Sequence, residues 1–192
     1  MLDLRGVPPL ATGRGPVDAW EEWHRLQFRQ RLPTFDPVLV SSFAAGLHGV
    51  ASDLDVVCDT RPGGFIEAVT AAYGERPGFE HWATGTRTMI AFQGTRLPVE
   101  LAGEPLPVER QTAYRHAVAH RRLAELGGEH FVATVRAIRR RDGLKTEPAI
   151  ARALGLDGDP YQAVERLSDA PDDALRGLIV GSGSAAIHPR HQ

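Results

Sequence analysis

The chain has 192 residues, a formal net charge of −2, a hydrophobic fraction of 42% and one cysteine, Cys58. That length and apolar content suit one globular domain with a real core. The near-neutral balance excludes the electrostatic footprint of a general duplex nucleic-acid binder, and a single cysteine excludes an intrachain disulfide or a cysteine-rich zinc site.

Residues 1–15 read as a loose lead-in without a basic or strongly apolar leader pattern. No run approaches the eighteen apolar residues of a membrane span, so no membrane partner is expected and cytoplasmic is the default location. Asp18 opens a predicted helix to about Leu32, with Trp20, Trp23, Leu26 or Gln27 and Arg31 along one face; Pro33 stops it. A first strand follows at Val38–Ser41. After a Gly-bearing loop holding Gly46, His48 and Gly49, a second strand covers Ser52-Asp53-Leu54-Asp55-Val56-Val57-Cys58.

This second strand is unusual. Side chains alternate along a strand, so Leu54, Val56 and Cys58 share the core face, where Cys58 is a small buried hydrophobe. Asp53 and Asp55 share the other face, roughly 6–7 Å apart by the strand rise. Aspartate is a poor strand former and neighbouring anions repel; a divalent cation with a taste for oxygen ligands would remove the conflict. The plain alternative is a strand with one wet face.

Pro62-Gly63-Gly64 ends the strand, and Phe65–Tyr73 reads as a helix with Phe65, Ile66, Val69 and Ala72 inward. Gln93-Gly94-Thr95 then joins two β-type runs, from about Thr86 to Leu101, as a hairpin. Val99 and Leu101 face the core, which leaves Glu100 on the opposite face. If its strand lies beside the Asp53 strand, three carboxylates converge on one open surface.

From Pro107 the pattern is helical. One helix runs to Leu126 and stops at Gly127-Gly128; a second covers Glu129–Arg141 and ends at Asp142-Gly143. Thr146 can cap a short helix carrying Glu147 and Pro148 in its first turn. Pro160–Leu167 and Asp172–Leu178 form further short helices, and the tail from Gly181 to Gln192 is small, polar and expected to be mobile. Arg136, Arg139, Arg140 and Arg141 make either a local basic patch or an ordinary solvated helix end. His116 and His120, four apart, have a spacing that can hold zinc; Ala113, Leu123 and Gly127 on the same face favour packing or a hydrogen-bonded histidine. Tyr114, Arg115 and Lys145 are candidates to meet a nucleotide, the cations because a triphosphate needs positive charge beside a metal.

The order of elements (strand, Ser-bearing turn, strand with Asp-x-Asp, helix, hairpin with a final acid) resembles the nucleotidyltransferase superfamily with the polymerase-beta-like fold. Ser42 stands ten residues before Asp53 and Glu100 fits the late acid. Ser41 stands where that pattern has glycine, and His120 where many relatives have glutamate. The strings Gly46-Leu47, Ser52-Asp53-Leu54-Asp55, Pro98-Val99-Glu100-Leu101, Gln111-Thr112-Ala113-Tyr114-Arg115-His116, Gly143-Leu144-Lys145-Thr146-Glu147-Pro148 and Gly158-Asp159-Pro160-Tyr161 together resemble the bacterial domain-of-unknown-function family 4269.

The resemblance implies an α/β (α+β) fold: a small mixed sheet over residues 16–105, a helical extension over 106–180 packed on it, and flexible termini at 1–15 and 181–192. It implies a site in which Asp53, Asp55 and Glu100 hold magnesium, or manganese in its place. Ser41, Ser42, Arg115 and Lys145 would meet an NTP there, while the acceptor stays unidentified. A catalytically inactive module that binds a nucleotide or a protein partner is the alternative, with Ser41 its best support.

Overall fold

A computed structural model describes residues 2–10, 13–49 and 52–185, with side chains to 181. A five-stranded mixed sheet runs in the order β1-β2-β5-β4-β3. The strands are β1 (Val38–Leu39), β2 (Leu54–Asp59), β3 (Glu80–Thr84), β4 (Arg87–Gln93) and β5 (Pro98–Glu104). β2 and β5 are parallel, and every other pairing is antiparallel.

One sheet face buries Leu54, Val56 and Cys58 of β2, Ile90 and Phe92 of β4 and Val99 and Leu101 of β5. Three helices cover it: α1 (Arg14–Leu26), α2 (Phe28–Arg31) and α3 (Phe65–Tyr73). The predicted single helix to Leu32 is thus two, because Gln27 takes a left-handed conformation (φ 54°). The break turns Phe28 into the core, where its ring stacks on Trp23 at 5.2 Å. Glu22 is fully buried, and its Oε1 accepts from the Thr95 amide at 2.7 Å, tying α1 to the β4–β5 turn.

The opposite face is not open. Val38, Val40, Val57, Met89 and Ala102 pack against Tyr114, Ala117 and Val118 of α4 (Thr112–Asp142). The chain anticipated as two helices parted at Gly127-Gly128 is this one long element with a kink. Gly128 (φ 59°, ψ −160°) sits in a conformation that only glycine adopts readily. Beyond the kink, Phe131 and Val135 build a helical core with Ile150, Val164 and Leu175. These last come from α5 (Thr146–Leu154), α6 (Pro160–Arg166) and α7 (Asp172–Ala185). Ala45 and Leu47, from the turn after β1, enter this core too.

Other differences have local causes. Lys145, not Thr146, is the residue that precedes α5. Helix α7 continues past Leu178 to Ala185, while 186–192 of the anticipated tail lie outside the described residues. In the anticipated loose lead-in, Leu4 is buried and its amide donates to the Tyr114 hydroxyl at 3.1 Å. Arg121 Nη1 donates to the Pro8 carbonyl at 2.7 Å. No described helix is long and apolar enough to cross a membrane.

Candidate active site

The parallel register of β2 and β5 sets Asp55 directly beside Glu100. Asp53 lies one residue before β2, and all three acids line a cavity of about 440 Å³ between the sheet and the helical half. Alternation does the placing: the neighbours Leu54, Val56, Val99 and Leu101 are all drawn into the core on the other face.

The acids crowd one another in a poorly hydrated place. Burial first, then Glu100 and Asp53, push the Asp55 carboxyl from 3.8 up to about 7, with the nearby Ser41 hydroxyl opposing. Glu100 is also raised, by burial and by Asp53, with Lys145 and Arg87 opposing. Oxygen donors held in mutual repulsion suit a hard divalent cation. Among the described residues no group of three or more His, Cys, Asp or Glu side chains is arranged so that it could hold a metal ion as the side chains stand. The fit of a cation here rests on donor type and uncompensated charge.

The remaining anticipated residues divide. Ser42 lines the cavity beside Asp53. Ser41 is buried, and its Oγ donates to the Asp53 carbonyl at 2.7 Å, so it fixes the approach to β2 from behind. Lys145 lines the cavity at the start of α5 and is exposed. Arg115 does not reach it: its guanidinium is held outside by Glu165 at 3.0 Å and Asp169 at 2.6 Å. Tyr114 is buried and donates its hydroxyl proton to the Leu2 carbonyl at 3.1 Å, so it too is absent from the cavity.

On the helical wall, His116 and His120 are buried, and His116 is hydrogen-bonded, as their apolar face leads one to expect. His116 and His120 lie on one face of α4 with near-parallel rings 6.1 Å apart. Glu147 Oε1 sits 3.6 Å from His116 Nδ1 and 3.4 Å from His120 Nε2. A carbonyl can only accept, so His116 Nε2 carries a proton toward Tyr161 O at 2.9 Å. Burial pushes the His116 pKa down, against that bond and Glu147. Burial alone would raise Glu147; His120, the backbone N–H at the helix start and His116 outweigh it and hold the carboxyl at about 2. The spacing of the two histidines was a visible signal, but a glutamate in the first turn of a helix is too ordinary to reveal its partners.

A family model described as Domain of unknown function (DUF4269) matches residues 21–167. No curated protein sequence matches the chain. One solved structure, of the polymerase core of TRAMP, a RNA surveillance complex, is similar with a TM-score of 0.46 and 14% identity. The match covers 91% of this chain and 59% of that one, a likeness too weak to carry an argument about activity.

Proposed function

The chain belongs to the DUF4269 family, and we propose that it is a magnesium-dependent nucleotidyltransferase. It would move a nucleoside monophosphate from an NTP to an acceptor hydroxyl on a small molecule, an RNA or a protein. The observation that carries this reading is the side-by-side placement of Asp55 and Glu100, with Asp53 adjoining, at the floor of one cavity.

Asp53 and Asp55 would hold magnesium, with Glu100 completing a second position. Bound there, the cation would neutralise the phosphates and stabilise both the attacking and the leaving oxygen. Glu100, which lines the same cavity, would help activate the acceptor hydroxyl by taking its proton. The acceptor oxygen then bonds to the α-phosphorus, the bond from that phosphorus to the bridging oxygen breaks, and pyrophosphate leaves. Ser42 would hydrogen-bond the phosphates, and Lys145 would add positive charge at the cavity wall. Ser41 acts at one remove, by fixing the backbone of Asp53.

Label transfer from an α-labelled NTP in the presence of Mg²⁺ and a cell extract tests the reading. Transfer by the wild type that disappears in Asp53→Asn/Asp55→Asn is the expected result. Mg-dependent NTP binding without transfer or pyrophosphate release would favour the second reading, a nucleotide-binding module. That reading draws on Ser41, whose side chain stands where a glycine would let backbone and phosphate approach closely.

A further inference from the structure

A second hollow, of about 300 Å³, adjoins the acid cavity and is lined by His48, Gly49, Arg136, Arg139 and Arg140. Arg139 lines both spaces. Gly49 lines the outer hollow, Ser52 lines the acid cavity, and the Gly49 amide donates to Ser52 Oγ at 2.8 Å.

Several arginines of this protein are ion-paired, two of them close to this cluster, while others such as Arg29, Arg31 and Arg110 have no such pair among the described residues. Two residues on from Arg139, Arg141 is paired with Asp142 at 2.8 Å, and Arg152 takes the same carboxylate at 2.5 Å. Among the described residues, Arg136, Arg139 and Arg140 have no carboxylate within ion-pair distance. The hydrogen bonds of Arg136 and Arg139 go to neutral groups. Arg139 Nη1 donates to the Leu47 carbonyl and Nε to the Leu144 carbonyl at 3.4 Å; Arg136 Nη2 donates to His48 Nδ1 at 3.2 Å.

The cluster is also positioned. A Cβ on Gly49 would stand 3.1 Å from Arg139 Nη2, so the absence of a side chain there makes room for the guanidinium. His48 stacks on Phe43 at 4.6 Å. Burial, Arg136 and Arg139 hold its pKa near 4, so it stays neutral and can accept from Arg136. Burial first, and Arg136 as well, lower Arg139, with Glu147 opposing.

Guanidinium groups pair with phosphate oxygens in a planar fork, and several around one hollow match a tetrahedral group bearing more than one charge. The acids that would hold a metal-bound triphosphate line only the other space. We infer that Arg136, Arg139 and Arg140 hold a phosphate group of the acceptor, whose hydroxyl enters the acid cavity past Arg139. The acceptor is then a phosphoester that carries a free hydroxyl. This inference rests on the acid cavity being the transfer site, but the anion site can be measured without it.

The test is calorimetric titration of inorganic phosphate in EDTA, using wild type, Arg136→Gln/Arg140→Gln and Asp53→Asn/Asp55→Asn. Saturable binding should be equal in wild type and the aspartate variant. It should weaken by about tenfold or more in the arginine variant, with an unchanged thermal midpoint and unchanged affinity for Mg-NTP. Displacement of phosphate by ribose 5-phosphate would identify a monoester acceptor, and displacement by a dinucleoside monophosphate a diester. No saturable phosphate binding, equal binding by the arginine variant, or displacement by neither ester would overturn the inference. So would a parallel loss of Mg-NTP affinity, which would move the arginines to the donor triphosphate. If transfer fails but phosphate binding behaves as expected, the transferase reading falls and the anion site stands.

Discussion

Asp55 is where stability and the candidate chemistry pull in opposite directions. Its folded carboxyl titrates near 7 against an ordinary 3.8, so the folded state binds the proton more tightly than the unfolded chain. The group costs nothing below about its ordinary value; the penalty accumulates as pH rises through that interval and is constant above it. Metal-free wild type should therefore lose stability between pH 4 and 7, at up to about 1.4 kcal/mol per pKa unit. Asp55→Asn should remove most of that slope and be the more stable protein at pH 8 without metal, while label transfer falls by about a thousandfold or more. Thermal melts across pH, beside the transfer assay, check both halves. An Asp55→Asn protein that melts lower than wild type at pH 8 would contradict the crowding of the acids. Glu147 has the opposite sign. Its carboxyl is held near 2 against 4.5, so its contribution is full above 4.5 and is lost as pH falls through about 2. Glu147→Gln should cost about 1–3 kcal/mol at pH 7, read by urea denaturation, and the loss should vanish toward pH 2.

At the scale of elements, the kink of α4 and the pairing of β2 with β5 do the positioning. Gly128 holds a backbone conformation closed to other residues, and a Cβ there would meet nothing within 4 Å. Gly128→Ala should therefore cost about 1–3 kcal/mol through backbone strain alone; an unchanged urea midpoint would show that the kink relaxes without cost. Gln111 is fully buried between the halves, and its Nε2 donates to the Cys58 carbonyl at 2.8 Å and the Leu106 carbonyl at 3.1 Å. Removing it as Gln111→Ala leaves those carbonyls unmatched and should cost about 1–3 kcal/mol by the same measurement. Elements were legible in the sequence where burial alternates locally. Leu54, Val56, Val99 and Leu101 mark one face, so Asp55 and Glu100 had to share the other once their strands paired. Strand β3 was not legible, because every residue of Glu80–Thr84 is exposed and no alternation betrays it. The break at Gln27 was hidden for a related reason: a continuous helical pattern conceals one residue turned left-handed by tertiary packing.

Across the whole molecule, the helical half turns an acidic sheet face into one wall of an open cleft. Sequence pattern placed the acids on an open surface, since nothing local says that Tyr114, Ala117 and Val118 will cover the same side of the sheet. Long-range packing also separated two cations that looked alike in sequence. Lys145 comes to the cavity, whereas the half-buried Arg115 is taken by Glu165 and Asp169. The result is a divided field, with acids on the sheet, a His–Glu–His group and Lys145 on the helical wall, and unpaired arginines beyond Arg139. Such a field matches a substrate complex carrying both a metal ion and phosphate groups. The central claim is that Asp53, Asp55 and Glu100 together take up divalent metal. The most direct measurement is a Mn²⁺ titration at pH 8 followed by paramagnetic resonance, in wild type, Asp53→Asn/Asp55→Asn and Glu100→Gln. The account predicts saturable binding in wild type, reversed by excess Mg²⁺, lost in the double variant and weakened in Glu100→Gln. Equal Mn²⁺ binding in wild type and the double variant would contradict it.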